Sequence, residues 1–239
     1  MSARFEELDY QPTPVGALSL RRRILPSSGA EVYEIKLGDE FLMSSQFTAG
    51  ETALAELALG ELGISGADVA VGGLGLGYTA LAALDYPGVG SVMVIEALAA
   101  VIEWHRRGLI PLGARLASDP RCRLVHGDFF ALLNAGGGLD PEAVGRRFHA
   151  VLVDIDHSPR ALLHRSHGAL YAPPGLRRVA ACLHPGGVFA LWSNDPPDGD
   201  FLNALETAFA TARAQVIAFH NPLQNREATC TIYLARTQG

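Results

Sequence analysis

The stretch VLVDIDHSPR, residues 151–160, is where this chain places ionisable groups most closely after an apolar run. Val151 to Val153 are followed by Asp154, Asp156 and His157, and then by a proline. Side chains of these types just beyond a buried strand can serve as a general base, as metal ligands or as a solvated strand end. A second chemically suggestive stretch is VGGLGLGYTA, with Gly72, Gly73, Gly75 and Gly77 between an apolar strand and a helix. Glycines there let the backbone approach a ligand, and the helix start offers free N–H groups. Glu96 ends the next strand, nineteen residues after Gly77, where a carboxylate can accept both hydroxyls of a ribose. Asp128, in HGDFF, ends a third strand and can accept a hydrogen bond from an adenine amino group. The glycine pattern favours an adenosyl group over a dinucleotide, because it fits Gly-x-Gly-x-x-Gly poorly. Glycines for tight packing and acids as strand-end caps are the competing reading.

The elements that must position these groups alternate regularly after Gly66. ADVAVGG, SVMVIE, CRLVHGD, FHAVLVD and GVFALWSN read as strands; YTALAALDY, ALAAVIEWHRRG, GLRRVAACL and GDFLNALETAFATA read as helices. Repeated strand–helix units with nearly continuous apolar strands predict a parallel sheet covered on both faces. AQVIAFHN and ATCTIYLAR predict an antiparallel pair around Pro222, and NAGGGLDPEAVG a flexible surface insertion. Before Gly66 the texture differs. Residues 1–14 read as a loose arm, and 15–65 as a small domain of β-hairpins closed by the helix TAGETALAELALGELG. One turn of that domain is expected at Pro26–Gly29. Residues 66–239 form the expected α/β, Rossmann-like domain.

Bulk composition narrows the function classes. Of 239 residues, 49% are hydrophobic and 18% charged, which predicts a compact globule rather than a disordered chain. The formal charge is -6 and the arginines are scattered, so a phosphate-tracking surface for nucleic acid is not expected. Cys122, Cys182 and Cys230 are an odd number without Cys-x-x-Cys spacing, which argues against a disulfide framework. No signal sequence or membrane span is read, and the expectation is a soluble cytoplasmic protein. His164 and His167 could join Asp154, Asp156 and His157 around zinc or iron. The preferred reading has no metal. Tyr171 and Trp192 are candidate apolar walls of a substrate pocket or plain core.

The order VGGLGLG, VIEALAAVIEWHR, DPRCRLVHGDFFALL, FHAVLVDIDHSP and LYAPPGLRRVAACLHPGGVFAL resembles the spermidine synthase family over roughly residues 30–235. The resemblance implies a class I methyltransferase-type domain preceded by a small β-domain. It also implies that Gln46 and Glu96 contact the donor, that Asp128 meets its adenine, and that Asp154 faces the attacking amine. Ser158 to Tyr171 would be a gate over the pocket, and a homodimer is compatible with the resemblance.

The chain departs from that family in the amine half. Gly75 stands where an aspartate meets the donor's amine end, and Ala55 where a tyrosine assists deprotonation. His157 replaces the second aspartate of Asp-x-x-Asp; Asn194, beside Asp195, falls where an acid holds the far ammonium. An unpaired ammonium is expensive to bury, so these changes weaken the case for a diamine while leaving the sulfonium donor intact. The expected function is alkyl transfer from the sulfonium of S-adenosylmethionine to a small acceptor, an amine, with methyl favoured. The alternatives are aminopropyl transfer from decarboxylated S-adenosylmethionine, and a non-catalytic adenosyl-binding or scaffold protein. Asp154, Asp156 and His157 are the candidate catalytic residues, with His157 the candidate base.

Overall fold

The computed structural model describes residues 4–13, 16–26, 28–221 and 226–239. Among them the expected alternation forms one seven-stranded sheet, built from β5 (Ala67–Gly72), β6 (Val89–Glu96), β7 (Cys122–His126), β8 (Phe148–Val153), β9 (Leu183–Ser193), β10 (Thr211–Asn221) and β11 (Arg226–Arg236). Its spatial order is β10-β11-β9-β8-β5-β6-β7. The five strands from β5 to β9 pair in parallel, and β11 then pairs antiparallel with both β9 and β10. Val69 to Val71 and Ala150 to Val153 are almost wholly inaccessible, as expected of central parallel strands covered on both faces. The chain reverses its winding at β5, which has β6 on one side and β8 on the other. Such a switch point leaves a crevice beyond the strand C-termini, where open α/β sheets bind ligands.

Helices α2 (Tyr78–Asp85), α3 (Ala99–Arg106), α4 (Gly113–Ser118), α5 (Phe129–Asn134), α6 (Pro173–Ala181) and α7 (Gly199–Glu206) connect these strands. The short α4 and α5 carry too few turns for periodicity to reveal them. No helix of the described residues is long and apolar enough to cross a membrane. The N-terminal half-layer is a four-stranded antiparallel sheet of β1 (Phe5–Thr13), β2 (Gly16–Ile24), β3 (Glu31–Leu37) and β4 (Glu40–Ser44). Helix α1 (Ala49–Gly60) follows it and lays Leu54, Ala55, Ala58 and Leu59 against the larger sheet's core.

Two sequence expectations need correction. Most of the stretch read as a loose arm is β1, paired with β2 along its length; residues 1–3 and 14 lie outside the described residues. Its anchor is distant in sequence: Trp104, fully buried on α3, donates its indole N–H to Asp9 at 2.6 Å. The glycine-rich insertion is likewise held down rather than loose. Leu139 and Asp140 are buried, and Asp140 accepts from Arg146 at 2.9 Å and also from Arg123. Composition hid both anchors because the partners come from other elements. Ser27, in the expected turn, and the turn around Pro222 lie outside the described residues.

Candidate active site at the sheet's switch point

The glycine-rich turn after β5 is clamped from three directions. Gly73 donates its N–H to Ile95 of β6, and Asp154 donates its N–H to Gly72, so both neighbouring strands hold the end of β5. Gly73 adopts a φ of 93°, and a side chain there would run into the Asp154 carbonyl. From α3, the buried His105 bonds the Gly75 carbonyl through Nε2 at 2.8 Å. Burial lowers the His105 pKa, which keeps a neutral imidazole as the donor. From β4, Met43 takes the space that a side chain at Gly75 would need, and its sulfur accepts from Leu76 N–H at 2.8 Å. Gly75 adopts a φ of 48°, which strains a side chain there, and one would also have to displace the Met43 thioether.

Beyond this turn lies a cavity of about 140 Å³ lined by Met43, Glu51, Tyr78, Glu96, Asp154 and His157, among others. A larger depression, about 590 Å³, opens on the outer faces of α1 and α2, away from the strand ends. The smaller cavity is the better candidate because three carboxylates from different elements converge on it.

Those carboxylates differ in how they are held. Glu96 accepts from Leu98 N–H at 2.8 Å and Leu74 N–H at 3.0 Å, one on each oxygen. Burial raises its pKa, and the backbone donors oppose that rise. Asp154 accepts from the Thr79 hydroxyl at 2.7 Å, and burial raises its pKa as well. Glu51, in the first turn of α1, is pushed up to about 8, first by burial and then by the Asp154 charge. The Thr79 hydroxyl also lies 3.5 Å from the main-chain carbonyl of Glu51, which ties α2 to the first turn of α1. No Lys or Arg is among the described residues lining the cavity. Two half-buried like charges with no counter-cation on the cavity wall are a poor electrostatic arrangement until a cation enters.

The other expected site residues are dispersed. His157 reaches the cavity's rim and bonds Glu40, at the start of β4, at 3.0 Å. Asp156 turns away into the core, where it accepts from Leu163 N–H, His167 and the Tyr171 hydroxyl, each at 2.8 Å. Burial, then the Asp156 charge, raises the Tyr171 pKa well above its ordinary value. His167 stacks on Phe130 at 3.7 Å, while His164 bonds Ser166. The stretch from Ser158 to Tyr171 is therefore anchored from beneath through Asp156. Asp128 is exposed and caps α5, one oxygen accepting from Phe130 and Ala131 N–H. Gln46 takes a 3.3 Å bond from Arg23 through its oxygen, while its buried amide nitrogen has no partner. Trp192 lines the cavity, Asn194 lines an adjoining one, and Asp195 lies in a separate depression beside Arg160.

Glu51, Tyr78 and Thr79 were not singled out from the sequence. Glu51 carried a signal: it shares a helix face with Leu54, Ala55 and Ala58, an acid on an apolar stripe. Ala55 is fully buried in the core, leaving no room for the family's tyrosine. Tyr78, at the start of α2, brings a phenol to the cavity instead, bonded to the Ser45 hydroxyl and with its pKa raised by burial.

No family model and no curated protein matches the chain. Solved structures do resemble it. Spermidine synthase from Thermotoga maritima superposes with a TM-score of 0.71 at 16% identity, covering 96% of this chain and 72% of that one. A spermidine synthase in complex with the transition-state analogue AdoDATO gives a TM-score of 0.70, also at 16% identity, with the same coverage of both chains. The chain therefore has the spermidine synthase fold, a Rossmann-like sheet with an N-terminal β-sheet.

Proposed function

We propose that this protein is an aminopropyltransferase-type enzyme, moving the aminopropyl group of decarboxylated S-adenosylmethionine to an amine. The observation that carries this reading is the Glu51–Asp154 pair, two half-buried acids without a cation on the described cavity wall. The methionine tail of S-adenosylmethionine would bring a further carboxylate toward them. The decarboxylated donor brings only an ammonium, which both acids favour. The neighbour that holds AdoDATO supports the same class of transfer.

Glu96 fits the donor's ribose: backbone N–H groups hold both its oxygens in place on the cavity wall, where ribose hydroxyls can donate to them. The glycine turn, free of side chains, lets the backbone approach the nucleoside. Asp128 and Gln46 extend the donor contacts, Gln46 through its unpartnered amide nitrogen. An acceptor amine arrives as an ammonium and must lose a proton before its lone pair can attack. Asp154 accepts that proton and Glu51 shares the charge, with the Thr79 hydroxyl orienting Asp154. The lone pair then displaces sulfur in line: a carbon–nitrogen bond forms, the carbon–sulfur bond breaks, and sulfur leaves as a neutral thioether. His157, tied to Glu40 at the rim, closes the cavity rather than acting as the base.

Calorimetry with the two donors, followed by product analysis with an amine, tests this. The expected result is at least tenfold tighter binding of decarboxylated S-adenosylmethionine, and an aminopropylated product. Preference for S-adenosylmethionine with a methylated product would overturn it and restore methyl transfer.

A further inference from the structure

The cavity does not end at Trp192. A second cavity, of about 270 Å³, shares Leu42, Met43, Glu51 and Trp192 with the first and runs outward between the β3–β4 hairpin, the start of α1 and the β10–β11 ribbon. We infer that this second cavity receives the distal arm of the acceptor and selects a primary monoamine with an apolar arm over a diamine. The inference rests on the transfer reading above and specifies its substrate class.

The chemistry of the walls carries it. Phe47 and Phe219 approach with ring centroids 6.1 Å apart, and Trp192 joins them. The polar groups there are neutral: Ser44, Asn194, Asn221 and Thr229. Glu51 is the one carboxylate among the described lining residues, and it lies at the inner end, shared with the reacting centre. An ammonium at that inner end meets the Glu51–Asp154 pair. A second ammonium carried outward leaves water for aromatic faces and amides, which return only part of its hydration. An apolar arm loses nothing there and gains by burial.

One neighbouring feature strengthens the same preference. Asp195, the acid next to Asn194, is held away: its N–H bonds Ser193 and its carbonyl accepts from Thr231, and it lines a different depression.

Initial rates with decarboxylated S-adenosylmethionine and either 2-phenylethylamine or 1,4-diaminobutane test the inference. The expected kcat/KM is at least tenfold higher for 2-phenylethylamine. Asn194→Asp is expected to raise kcat/KM for the diamine fivefold or more, with the donor Kd unchanged. Equal or better use of the diamine by the unaltered protein would overturn the inference, as would an Asn194→Asp protein that gains nothing with it. If the donor binds but neither amine is alkylated, the transfer reading falls instead. Amine affinities measured calorimetrically with 5′-methylthioadenosine bound then decide the selectivity, and tighter diamine binding overturns it.

Discussion

The two ends of the central cavity hold their acids in opposite ways. At the β6 end, Glu96 is compensated by the backbone, with a donor on each oxygen. At the α1 end, Asp154 has the Thr79 hydroxyl, Glu51 has its own backbone N–H, and the two acids repel each other. A compensated carboxylate is stable while empty and suits a neutral ligand that donates hydroxyl hydrogens. An uncompensated pair holds its charge poorly until a cation arrives. The comparison teaches that three acids on one wall need not do one job: under the proposed function, one serves the nucleoside and two the amines.

The sharpest way to break this contrast is Asp154→Asn, which keeps shape but removes the proton acceptor. Turnover should fall by roughly 10²–10⁴, the usual worth of a positioned acid–base group, while the donor Kd stays within a few-fold. Retained turnover in a steady-state assay would move the base elsewhere. Glu96→Gln should act in the other register. It should weaken donor binding by about 10–100-fold in calorimetry, since hydrogen bonds to a charged group contribute about 1.5–3 kcal/mol. Unchanged affinity would remove the ribose assignment.

The smallest effect is on stability. Glu51 is raised from its ordinary 4.5 to about 8, so between those values the folded protein keeps a proton that the unfolded chain has released. This group therefore makes stability fall as pH rises through that window. Glu51→Gln should flatten the slope and raise Tm at pH 8 by about 2–4 °C, the shift that ~1 kcal/mol produces in a chain of this size. Melting curves at pH 5 and pH 8 check it. A slope unchanged by the substitution would mean that the folded protein does not hold a proton on Glu51 through that window.

What could be read in advance follows from where each residue sits in its element. Glu96 and Asp154 stand where an apolar strand stops, and parallel strands end together along one edge of the sheet. Asp156 was misleading for the complementary reason. Strand alternation ends with β8 at Val153, so spacing no longer says which way a side chain faces, and the chain turns it into the core. Asn194 and Asp195 pose the same problem beyond β9, where neighbouring residues line two different cavities. Tyr78 escaped notice because the expected tyrosine was sought on α1, whereas the phenol comes from α2.

The sequence by itself determined the order of strands and helices, the glycine turn at the switch point, and the strand-end acids, because periodicity and strand ends are local properties of a chain. Only the tertiary structure decided that Glu51 would face Asp154, 103 positions away, and that Met43 would fill the space above Gly75. The charge state of an acid depends on what excludes water from it and what charge lies beside it, and both are supplied by elements remote in sequence.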